Sequence, residues 1–537
     1  MNQASIFNDV LGPVMRGPSS SHSAGALRIG RIALDLVKGD LSTAIVEYDP
    51  SGSLVTTHKS QGSDMGLFGG FLGWDADDSR LIDYQQHLFQ ANIVVDIRYI
   101  AYQATHPNTY KLTLNIGTAN EHQITAISTG GGMMEVVSID QAQVSLLGDS
   151  FILLLYVDNN NEYSTISAVE EVAKNIASQV EFSTWQTCKG LRDFVVIESC
   201  ETFDEQIIRE LCQLNQIEEF RFISPVMPIL NNPATTLPFI NSSDLIEYAS
   251  NSNRTLWQCA LDYEVARSGL TREELMDKME DIRTIMANAA KTGLAGTNFT
   301  DRLLPSQSPN FQQKNANGEL LSDGMLNGII MNVTAIMEAK SSMNTIVAAP
   351  TAGSCGAMAG AVIGASVSLD VSNGDICKAL FVAGLIGVFI ANDATFAAEE
   401  AGCMAECGSG SAMAAAALVS LQQGSLEQGL AAASMALQNS FGLVCDPIAN
   451  RVEAPCLGKN VMAATNALSC ANMALANFQQ VIPLHEVIIA MAQVGQAIPH
   501  ELCCTALGGL SITPTAQKLE QKLEGKVAGD IIRFKSC

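Results

Sequence analysis

Hydrophobic and polar positions change their period along the chain, and the change predicts an α/β first half followed by a helical second half. In residues 1–150, short apolar runs alternate with turns rich in Gly. The run AIVEYDPSGSLVTTH (44–58) predicts two strands around a Pro-Ser-Gly turn. The run NTYKLTLNIG (108–117) predicts a further strand.

Residues 151–225 have a clearer alternation of strand and helix patterns. The buried-strand run SFILLLYVD (150–158) is followed by TISAVEEVAKNIASQ (165–179), whose apolar residues recur at helical spacing. The remaining segments of this region, two strands, a helix and a last strand, are FSTWQTC (182–188), DFVVIESC (193–200), DEQIIRELCQL (204–214) and EFRFISP (219–225). The order strand–helix–strand–strand–helix–strand is typical of a small regulatory α/β module.

Prolines crowd residues 226–239, which we interpret as a linker. After it the pattern is helical. Thr271, with Glu274 three residues later, predicts the N-cap of a helix over 271–293. Residues 306–318 are polar and predict a loop. The predicted fold class is therefore α+β multidomain, with an α/β domain (1–150), a βαββαβ module (151–225), a linker (226–239) and an all-α domain (240–537).

Composition and charge exclude several classes of protein. The chain of 537 residues carries 30 basic and 55 acidic residues, a formal net charge of −25. Such an acidic excess argues against nucleic acid and anionic membrane surfaces as partners. The most apolar run, residues 379–391, is too short for a membrane span. No secretory signal is visible at the N-terminus, so we expect a cytoplasmic protein.

Four of the fourteen cysteines stand out by their neighbours in the sequence. Cys403 lies in AAEEAGCMAECGSG, Cys445 and Cys456 bracket CDPIANRVEAPC, and Cys537 is the last residue. Three thiolates that converge on a [4Fe–4S] cluster would leave one iron open as a Lewis acid. From spacing alone, however, three such cysteines are more typical of buried core residues.

Several other segments carry groups suited to binding a small anion. The segment LGPVMRGPSSSHSAG exposes hydroxyls and backbone N–H groups that could cradle a carboxylate, although a plain serine-rich loop is the simpler interpretation. STGGGM permits close backbone approach to a ligand or only a tight turn. Further candidates lie in THPNTYKL and APTAGSCG. The side chains and glycines singled out here are Ser19, Ser20, Ser21, His22, Ser23, His106, Asn108, Gly130, Gly131 and Thr351.

These segments together resemble the iron–sulfur-dependent L-serine dehydratases (L-serine ammonia-lyases) in their single-chain form. The matching strings occur in the family's β-then-α order: GPSSSHSAG, HPNTYKL, STGGGM, APTAGSCG, GCMAECGSGSAMAAAA, GLVCDPIANRVEAPCLGKN and HEVIIAMAQVGQAIP. The resemblance implies an ASB-type substrate domain, an ACT-like module and a helical catalytic domain. Because ACT-like modules commonly pair, we also expect a homodimer.

The resemblance also implies a chemistry and a set of site residues. It implies a [4Fe–4S] cluster held by Cys403, Cys445 and Cys456, with Cys537 as a possible fourth ligand. The cluster would activate the β-hydroxyl of L-serine, an amino-acid substrate, while His22 or His106 transfers the α-proton. The substrate-binding residues would be Ser19, Ser20, Ser21, Ser23, Lys59, Asp64, Asn108, Gly130, Gly131 and Thr351.

The chain departs from the family pattern at three positions. The family usually has KGHGTD where this chain has KSQGSD, so Gln61 replaces a histidine and cannot act as a base near neutral pH. His58 could substitute for that histidine only if the loop is rearranged. Cys407 and Cys355 are additional thiols beside the motifs. Elimination on threonine or cysteine, or a catalytically inactive amino-acid sensor, therefore remain alternatives to L-serine dehydration.

Overall fold

The computed structural model describes residues 3–157, 165–180, 183–204, 207, 217–232, 236–300, 302–321 and 324–527, with the backbone alone for 524–527. The chain forms two compact units. The first comprises residues 1–16, 20–240 and 258–277, and the second comprises residues 17–19, 241–257 and 278–537. Sheets dominate the first unit and helices the second, which confirms the predicted α+β fold class. The domain boundaries at 150, 225 and 240 stay predictions.

A six-stranded sheet forms the scaffold of the first unit. The strands up to residue 150 are β1 Val14–Met15, β2 Thr43–Tyr48, β3 Val94–Tyr99, β4 Thr109–Leu114, β5 His122–Gly130, β6 Met133–Ile139 and β7 Ala142–Leu146. Strands β2 to β7 form the sheet in the order β3-β2-β4-β5-β6-β7. The β2–β3 pair is parallel and the remaining pairs are antiparallel. The strand predicted over 108–117 is confirmed as β4.

Four helices accompany this sheet: α1 Ala24–Leu36, α2 Leu54–Thr57, α3 Ser63–Phe71 and α4 Tyr84–Gln90. The prediction of a second strand in AIVEYDPSGSLVTTH is wrong, because its last residues form the helical turn α2. The hydroxyls of Thr56 and Thr57 donate to the carbonyl oxygen of Ser53 at 3.2 and 2.7 Å. Such local side-chain hydrogen bonds compete with a strand, despite the β propensity of Val and Thr.

The predicted βαββαβ module is a four-stranded antiparallel sheet in the order β11-β8-β10-β9. Its described elements are β8 Phe151–Val157, α5 Ile166–Ala177, β9 Thr184–Cys188, β10 Phe194–Ser199 and β11 Ile217–Ile223. The four strands and the first helix confirm those elements of the predicted order. The helix predicted over 204–214 lies outside the described residues, except for residues 204 and 207.

Strand β8 is apolar at consecutive positions because both of its faces are buried. Ile152, Leu154 and Tyr156 pack into one core with residues of the six-stranded sheet and of α1. Leu153 and Leu155 face the other way and pack with residues of α5. A continuous apolar run rather than an alternating one is the expected signature of such a strand.

The chain after residue 240 is mostly helical. Its helices are α6 Ser242–Ser252, α7 Leu256–Ser268, α8 Arg272–Leu294, α9 Ser308–Ala316, α10 Gly324–Ser341, α11 Cys355–Leu369, α12 Asn373–Asp393, α13 Ala398–Cys403, α14 Ser409–Leu421, α15 Leu426–Gln438, α16 Cys456–Leu475, α17 Leu484–Ala497 and α18 Pro514–Val527. A π-helical segment, Met404–Gly408, joins α13 to α14, and the short strand β12 is Ile346–Val347.

Two local predictions for this region have different outcomes. The backbone N–H of Thr271 donates to Glu274 at 2.9 Å, and the N–H of Glu274 donates to the Thr271 hydroxyl at 3.3 Å, so the predicted capping box of α8 is confirmed. The loop predicted over 306–318 is wrong, because α9 occupies most of it. The buried carboxylate of Glu338 accepts hydrogen bonds from Gln307 and Ser308 at the start of α9 and so fixes that helix.

Small residues allow the helices to approach closely. A Cβ atom on Gly360 of α11 would lie 2.6 Å from the Cα atom of Val333 on α10, so this contact requires glycine. The helical segments Asn373–Asp393 and Ala398–Leu421 are long and apolar enough to cross a membrane by length and composition. Their most apolar windows are 78% and 89% buried inside the protein, as in core helices, so they are weak support for a membrane span.

Candidate functional site

Three cysteines predicted as metal ligands lie at the ends of helices in the second unit. Cys403 is the last residue of α13, Cys456 is the first residue of α16, and Cys445 lies in the connection between α15 and α16. Their relative exposures are only 2%, 6% and 4%. Helix ends leave the backbone free to turn, so thiols from separate helices can converge there.

The backbone before Cys403 makes a sharp turn that only glycine accommodates. Gly402 has a φ angle of +66°, and a Cβ atom at this residue would lie 2.8 Å from the carbonyl oxygen of Leu443. The N–H of Met404 donates to the same carbonyl oxygen at 2.9 Å. The turn therefore fixes Cys403 against the segment that carries Cys445.

The carboxylate of Glu406 lies close to two of these thiols. The thiols of Cys403 and Cys445 and the carboxylate of Glu406 have their donor atoms within 4.8 Å of one another. The Cys403 thiol and burial raise the pKa of Cys445 well above its ordinary value, together with a further neighbour, Cys504. Burial also raises the pKa of the Cys456 thiol, to which Cys403 adds. Bound metal cations reverse this preference, because a coordinating thiol loses its proton.

A lysine supplies positive charge beside the thiols. The Nζ atom of Lys459 lies 3.8 Å from the sulfur of Cys403 and donates to Asp446 at 2.7 Å and to the carbonyl oxygen of Val444 at 2.6 Å. Burial alone would lower the pKa of Lys459, but Cys403 and Asp446 outweigh it and raise that pKa. Lys459 is therefore a fixed cation next to a candidate anionic ligand. Sequence reasoning missed it, since KN after CLG has no distinctive signature.

The predicted substrate residue Thr351 is bonded to the carboxylate that faces the thiols. Its hydroxyl donates to Glu406 at 2.6 Å, and Thr351 is only 2% exposed. Burial raises the pKa of Glu406 to about 7. A Cβ atom on Gly353 would lie 2.7 Å from Glu406, so the APTAGSCG turn is shaped around this carboxylate. Glu406 was not singled out from the sequence.

The other thiols noted in the sequence have their own packing partners, although Cys407 is close enough to Cys403 and Cys456 to interact with them electrostatically. The amide of Asn460 donates to the sulfur of Cys407 at 3.7 Å, and Cys407 packs against Ala357 and Ala463. Cys355 is completely buried next to Met337, and burial raises its pKa to about 12, as expected for an inert core thiol. Among the twelve cysteines that the structure describes, none forms a disulfide. Cys537 lies outside the described residues.

In the first unit, His22 lies in the SSSHS segment just before α1. Its Nε2 atom lies 2.8 Å from the hydroxyl of Thr57, which itself donates to Ser53, so we assign the proton of this bond to His22. Burial, with a smaller contribution from His58, lowers the pKa of His22 to about 3. His22 is thus neutral and a weak base at neutral pH, whereas the prediction of its role in proton transfer is untested.

A histidine–carboxylate pair lies beside His22, in the loop where Gln61 departs from the family pattern. The Nδ1 atom of His58 lies 2.7 Å from Asp64 Oδ1, and its Nε2 atom lies 2.8 Å from the hydroxyl of Tyr99. His58 and Asp64 are buried, whereas Tyr99 is 51% exposed. A carboxylate that orients an imidazole is a common arrangement for general acid–base chemistry. The short turn α2 ends at Thr57, directly before His58.

The remaining candidate residues of the first unit have mixed environments. The N–H of Asn108 donates to His106 Nδ1 at 3.1 Å, and the side chain of Asn108 accepts from Ser53. Lys59 is exposed. The rest of the set is largely buried or constrained in its backbone: Ser20, Ser21 and Ser23 are buried, and Gly130 and Gly131 have positive φ angles in the β5–β6 turn. Ser19 belongs to the second unit.

The donor set fits an iron–sulfur cluster. Cys403, Cys445 and Cys456 are buried free thiols. Cys403 and Cys445 lie in one group with Glu406, and Cys456, outside that group, interacts electrostatically with Cys403. Soft thiolates are the ligands that such clusters require. Lys459 provides a cation that offsets part of the negative charge of bound thiolates. The fold and these donors define the class of protein: a multidomain α+β protein with a candidate cysteine-ligated metal centre in its helical unit.

Comparison with known proteins identifies the family. The family described as serine dehydratase alpha chain matches residues 241–511, about half of the chain, which contain all three candidate ligands. A protein of Bacillus subtilis, probable L-serine dehydratase, alpha chain, is 36% identical over 291 residues, covering 54% of this chain and 97% of that protein. The chain belongs to the serine dehydratase family.

Two further relatives cover other parts of the chain. The probable L-serine dehydratase, beta chain, of Bacillus subtilis is 34% identical over 218 residues, covering 40% of this chain and 96% of that protein. The L-serine dehydratase of Haemophilus influenzae is 24% identical over 510 residues, covering 92% of this chain and 96% of that protein. The Haemophilus influenzae protein is one chain that aligns with most of this chain, which agrees with the predicted single-chain form.

Proposed function

We propose that this protein is an L-serine ammonia-lyase that converts L-serine to pyruvate and ammonia, with a [4Fe–4S] cluster held by Cys403, Cys445 and Cys456. The observation that carries the proposal is the group of buried thiols at Cys403 and Cys445, next to Glu406, inside the region that matches the family. When bound, the cluster supplies an open iron that acts as a Lewis acid on the β-hydroxyl of the substrate.

The residues around the thiols prepare the centre for an anionic ligand set. Lys459 lies within 3.8 Å of Cys403 and offsets the charge of that thiolate. Asp446 in turn holds Lys459 in place and also accepts the N–H of Leu510 at 2.9 Å. Glu406, with a pKa of about 7, can hold or release a proton near neutral pH. These groups fix charge beside the thiols, which is a usual contribution of a protein to a metal centre.

The first unit offers groups for proton transfer and for the carboxylate of the substrate. The elimination requires a base to take the α-proton while hydroxide leaves, and the resulting aminoacrylate then tautomerises and hydrolyses to pyruvate and ammonia. We assign proton transfer to His58, because Asp64 orients its imidazole, whereas burial leaves His22 a weak base. Asn108, Ser20, Ser21 and Ser23 are proposed to bind the amino-acid carboxylate, as the resemblance implies.

The proposal is tested by assaying anaerobically purified protein with L-serine, L-threonine and L-cysteine. We expect brown protein that forms pyruvate and ammonia from L-serine most rapidly. Faster elimination on threonine or cysteine would replace the proposed substrate and support the alternative raised by Gln61. Brown protein that is inactive on all three would instead favour an amino-acid sensor.

We also propose that the protein is a cytoplasmic homodimer without nucleic-acid or membrane partners. The exposed side chain of Trp185 on β9, an edge strand of the ACT-like sheet, supports pairing of two copies. Sedimentation analysis at micromolar concentration tests this: we expect twice the mass of one chain for the wild type and a single-chain mass for Trp185→Lys. A wild-type protein that sediments with the mass of one chain would contradict the dimer.

A further inference from the structure

A fourth buried thiol lies against the proposed ligands. Cys504 is only 5% exposed and packs in one cluster with Ala398, Cys403 and Cys445, with Leu443 at its margin. The thiols of Cys403 and Cys504 both lie within hydrogen-bonding reach of the Cys445 thiol. Thus Cys504 contacts one proposed ligand, Cys445, and packs in the same cluster as a second, Cys403, which is unlike the position of an isolated core cysteine.

The backbone fixes Cys504 beside Cys445. The N–H of Cys445 donates to Leu502 O at 2.8 Å, and the N–H of Cys504 donates to Cys445 O at 2.9 Å. Cys504 itself has a φ angle of +62°. A left-handed conformation costs a non-glycine residue about 1–2 kcal/mol and is retained mainly where the surroundings demand it, often at functional sites. The surroundings of Cys504 therefore hold its backbone in this conformation beside Cys445.

The neighbouring cysteines have other hydrogen-bond partners, although Cys407 also lies close enough to Cys403 and Cys456 to interact with them electrostatically. The sulfur of Cys503 points to the carbonyl oxygen of Glu400 at 3.7 Å. Cys407 receives a hydrogen bond from Asn460 and packs among alanines. Cys503 therefore offers a matched control, adjacent in sequence and equally buried but directed at a backbone carbonyl.

We propose that Cys504 is a fourth thiol donor of the metal centre and binds the iron that Cys403, Cys445 and Cys456 leave open. The inference rests on the proposed function, because it assumes the cluster. Four thiolates complete the usual coordination of a [4Fe–4S] cluster. A thiol in this place competes with the substrate for that iron and shields it when no substrate is bound.

The test is Mössbauer spectroscopy of protein reconstituted anaerobically with ⁵⁷Fe, without substrate. It compares the wild type with Cys504→Ser, Cys503→Ser and Cys537→Ser. We expect the wild type, Cys503→Ser and Cys537→Ser to show iron with sulfur coordination throughout. In Cys504→Ser, about a quarter of the iron should move to a distinct subsite with an oxygen or nitrogen ligand.

Two results would overturn the inference while leaving the proposed function intact. One is a distinct iron subsite already present in the wild type; the other is a spectrum of Cys504→Ser identical to that of the wild type. A distinct subsite that appears in Cys537→Ser instead assigns the fourth ligand to the tail and also overturns it. Wild-type protein that holds no iron and sulfide, even after reconstitution, overturns both proposals.

A folding defect does not leave the question open. Circular dichroism shows whether Cys504→Ser retains its helices, and Cys504→Ala provides a second variant. If both variants fail to fold, the Mössbauer spectra of the wild type, Cys537→Ser and Cys407→Ala identify the fourth ligand instead. All-sulfur iron in these three proteins and in Cys503→Ser leaves Cys504 as the donor among the candidate thiols. A distinct subsite in any of the four contradicts the assignment.

Discussion

The side chain of Lys459 links a proposed metal ligand to a buried carboxylate. Its Nζ atom lies 3.8 Å from Cys403 Sγ and 2.7 Å from Asp446 Oδ1. The side chains of Lys459 and Asp446 are only 15% and 8% exposed. Removal of one partner from a charge pair that is this well buried strongly destabilises the protein, because the other charge stays unpaired in the interior.

Lys459→Met is therefore expected to lower both stability and metal content. We expect a loss of about 3 kcal/mol in the free energy of unfolding, since Asp446 is left unpaired. Lys314→Met is the control, because Lys314 pairs with Glu319 at an exposed site and such pairs contribute about 0–1 kcal/mol. Denaturant unfolding and iron analysis of anaerobic protein measure the two effects. Equal behaviour of the two variants would remove the role given to Lys459.

The turn at Gly402 should be intolerant of a side chain. Gly402→Ala places a Cβ atom 2.8 Å from Leu443 O at a φ angle of +66°. We expect a lower melting temperature and less bound iron, because Cys403 is displaced. Gly458→Ala is the matched control inside α16, where a Cβ atom meets no atom within 4 Å. Alanine there should be neutral or stabilise by about 0.5–1 kcal/mol. Normal iron content in Gly402→Ala would contradict the argument.

Replacement of His58 should reduce elimination more than replacement of His22. Asp64 orients His58, so His58→Gln is expected to lower kcat by about 100-fold or more, within the range of general base catalysis. His22 has a pKa of about 3 and should matter less to proton transfer. His500→Gln, at an exposed histidine, is the control. Steady-state assays of pyruvate formation decide, and wild-type kcat in His58→Gln would assign the base elsewhere.

The ionised carboxylate of Asp140 should stabilise the first unit, and this stabilisation should be lost in acid. Burial opposes its charge, but hydrogen bonds from His122 and Tyr156 at 2.8 and 2.9 Å outweigh it and lower the pKa of Asp140 below 3.8. A depressed pKa contributes stability that is present above the unfolded pKa of about 3.9 and is lost as pH falls through the folded value.

Asp140→Asn tests this dependence on pH. At pH 7 we expect the variant to unfold at a lower temperature, by an amount equivalent to about 2 kcal/mol. The difference from the wild type should shrink as the pH is lowered from 5 towards 3, because the wild type progressively loses the same interaction. A difference in melting temperature that is constant over this range would show that the carboxylate charge contributes nothing.

The sequence predicts the elements whose pattern is local. The strand pattern of β8 and the capping box at Thr271 are examples, because burial and end signals are written in neighbouring residues. The helical turn α2 and the helix α9 were mispredicted for another reason. Hydrogen bonds from threonine hydroxyls to the carbonyl oxygen of Ser53 fix α2. The carboxylate of Glu338, which is distant in sequence, fixes α9.

The same distinction applies to the candidate site. The resemblance to the family points to Cys403, Cys445 and Cys456, since their spacing alone is more typical of buried core residues. The contributions of Lys459, Glu406 and Cys504 depend on which side chains meet across separate helices, and a single sequence does not specify that. His58 is an intermediate case: the sequence shows its proximity to Gln61, but only the turn α2 reveals its bond to Asp64.

The most direct test of the account is the iron and acid-labile sulfide content of anaerobically purified protein. We expect about four of each per chain in the wild type and in Cys407→Ala. We expect loss of the cluster in Cys403→Ala, Cys445→Ala and Cys456→Ala. Zinc or no metal in the wild type, or an intact cluster in any of these three variants, would contradict it.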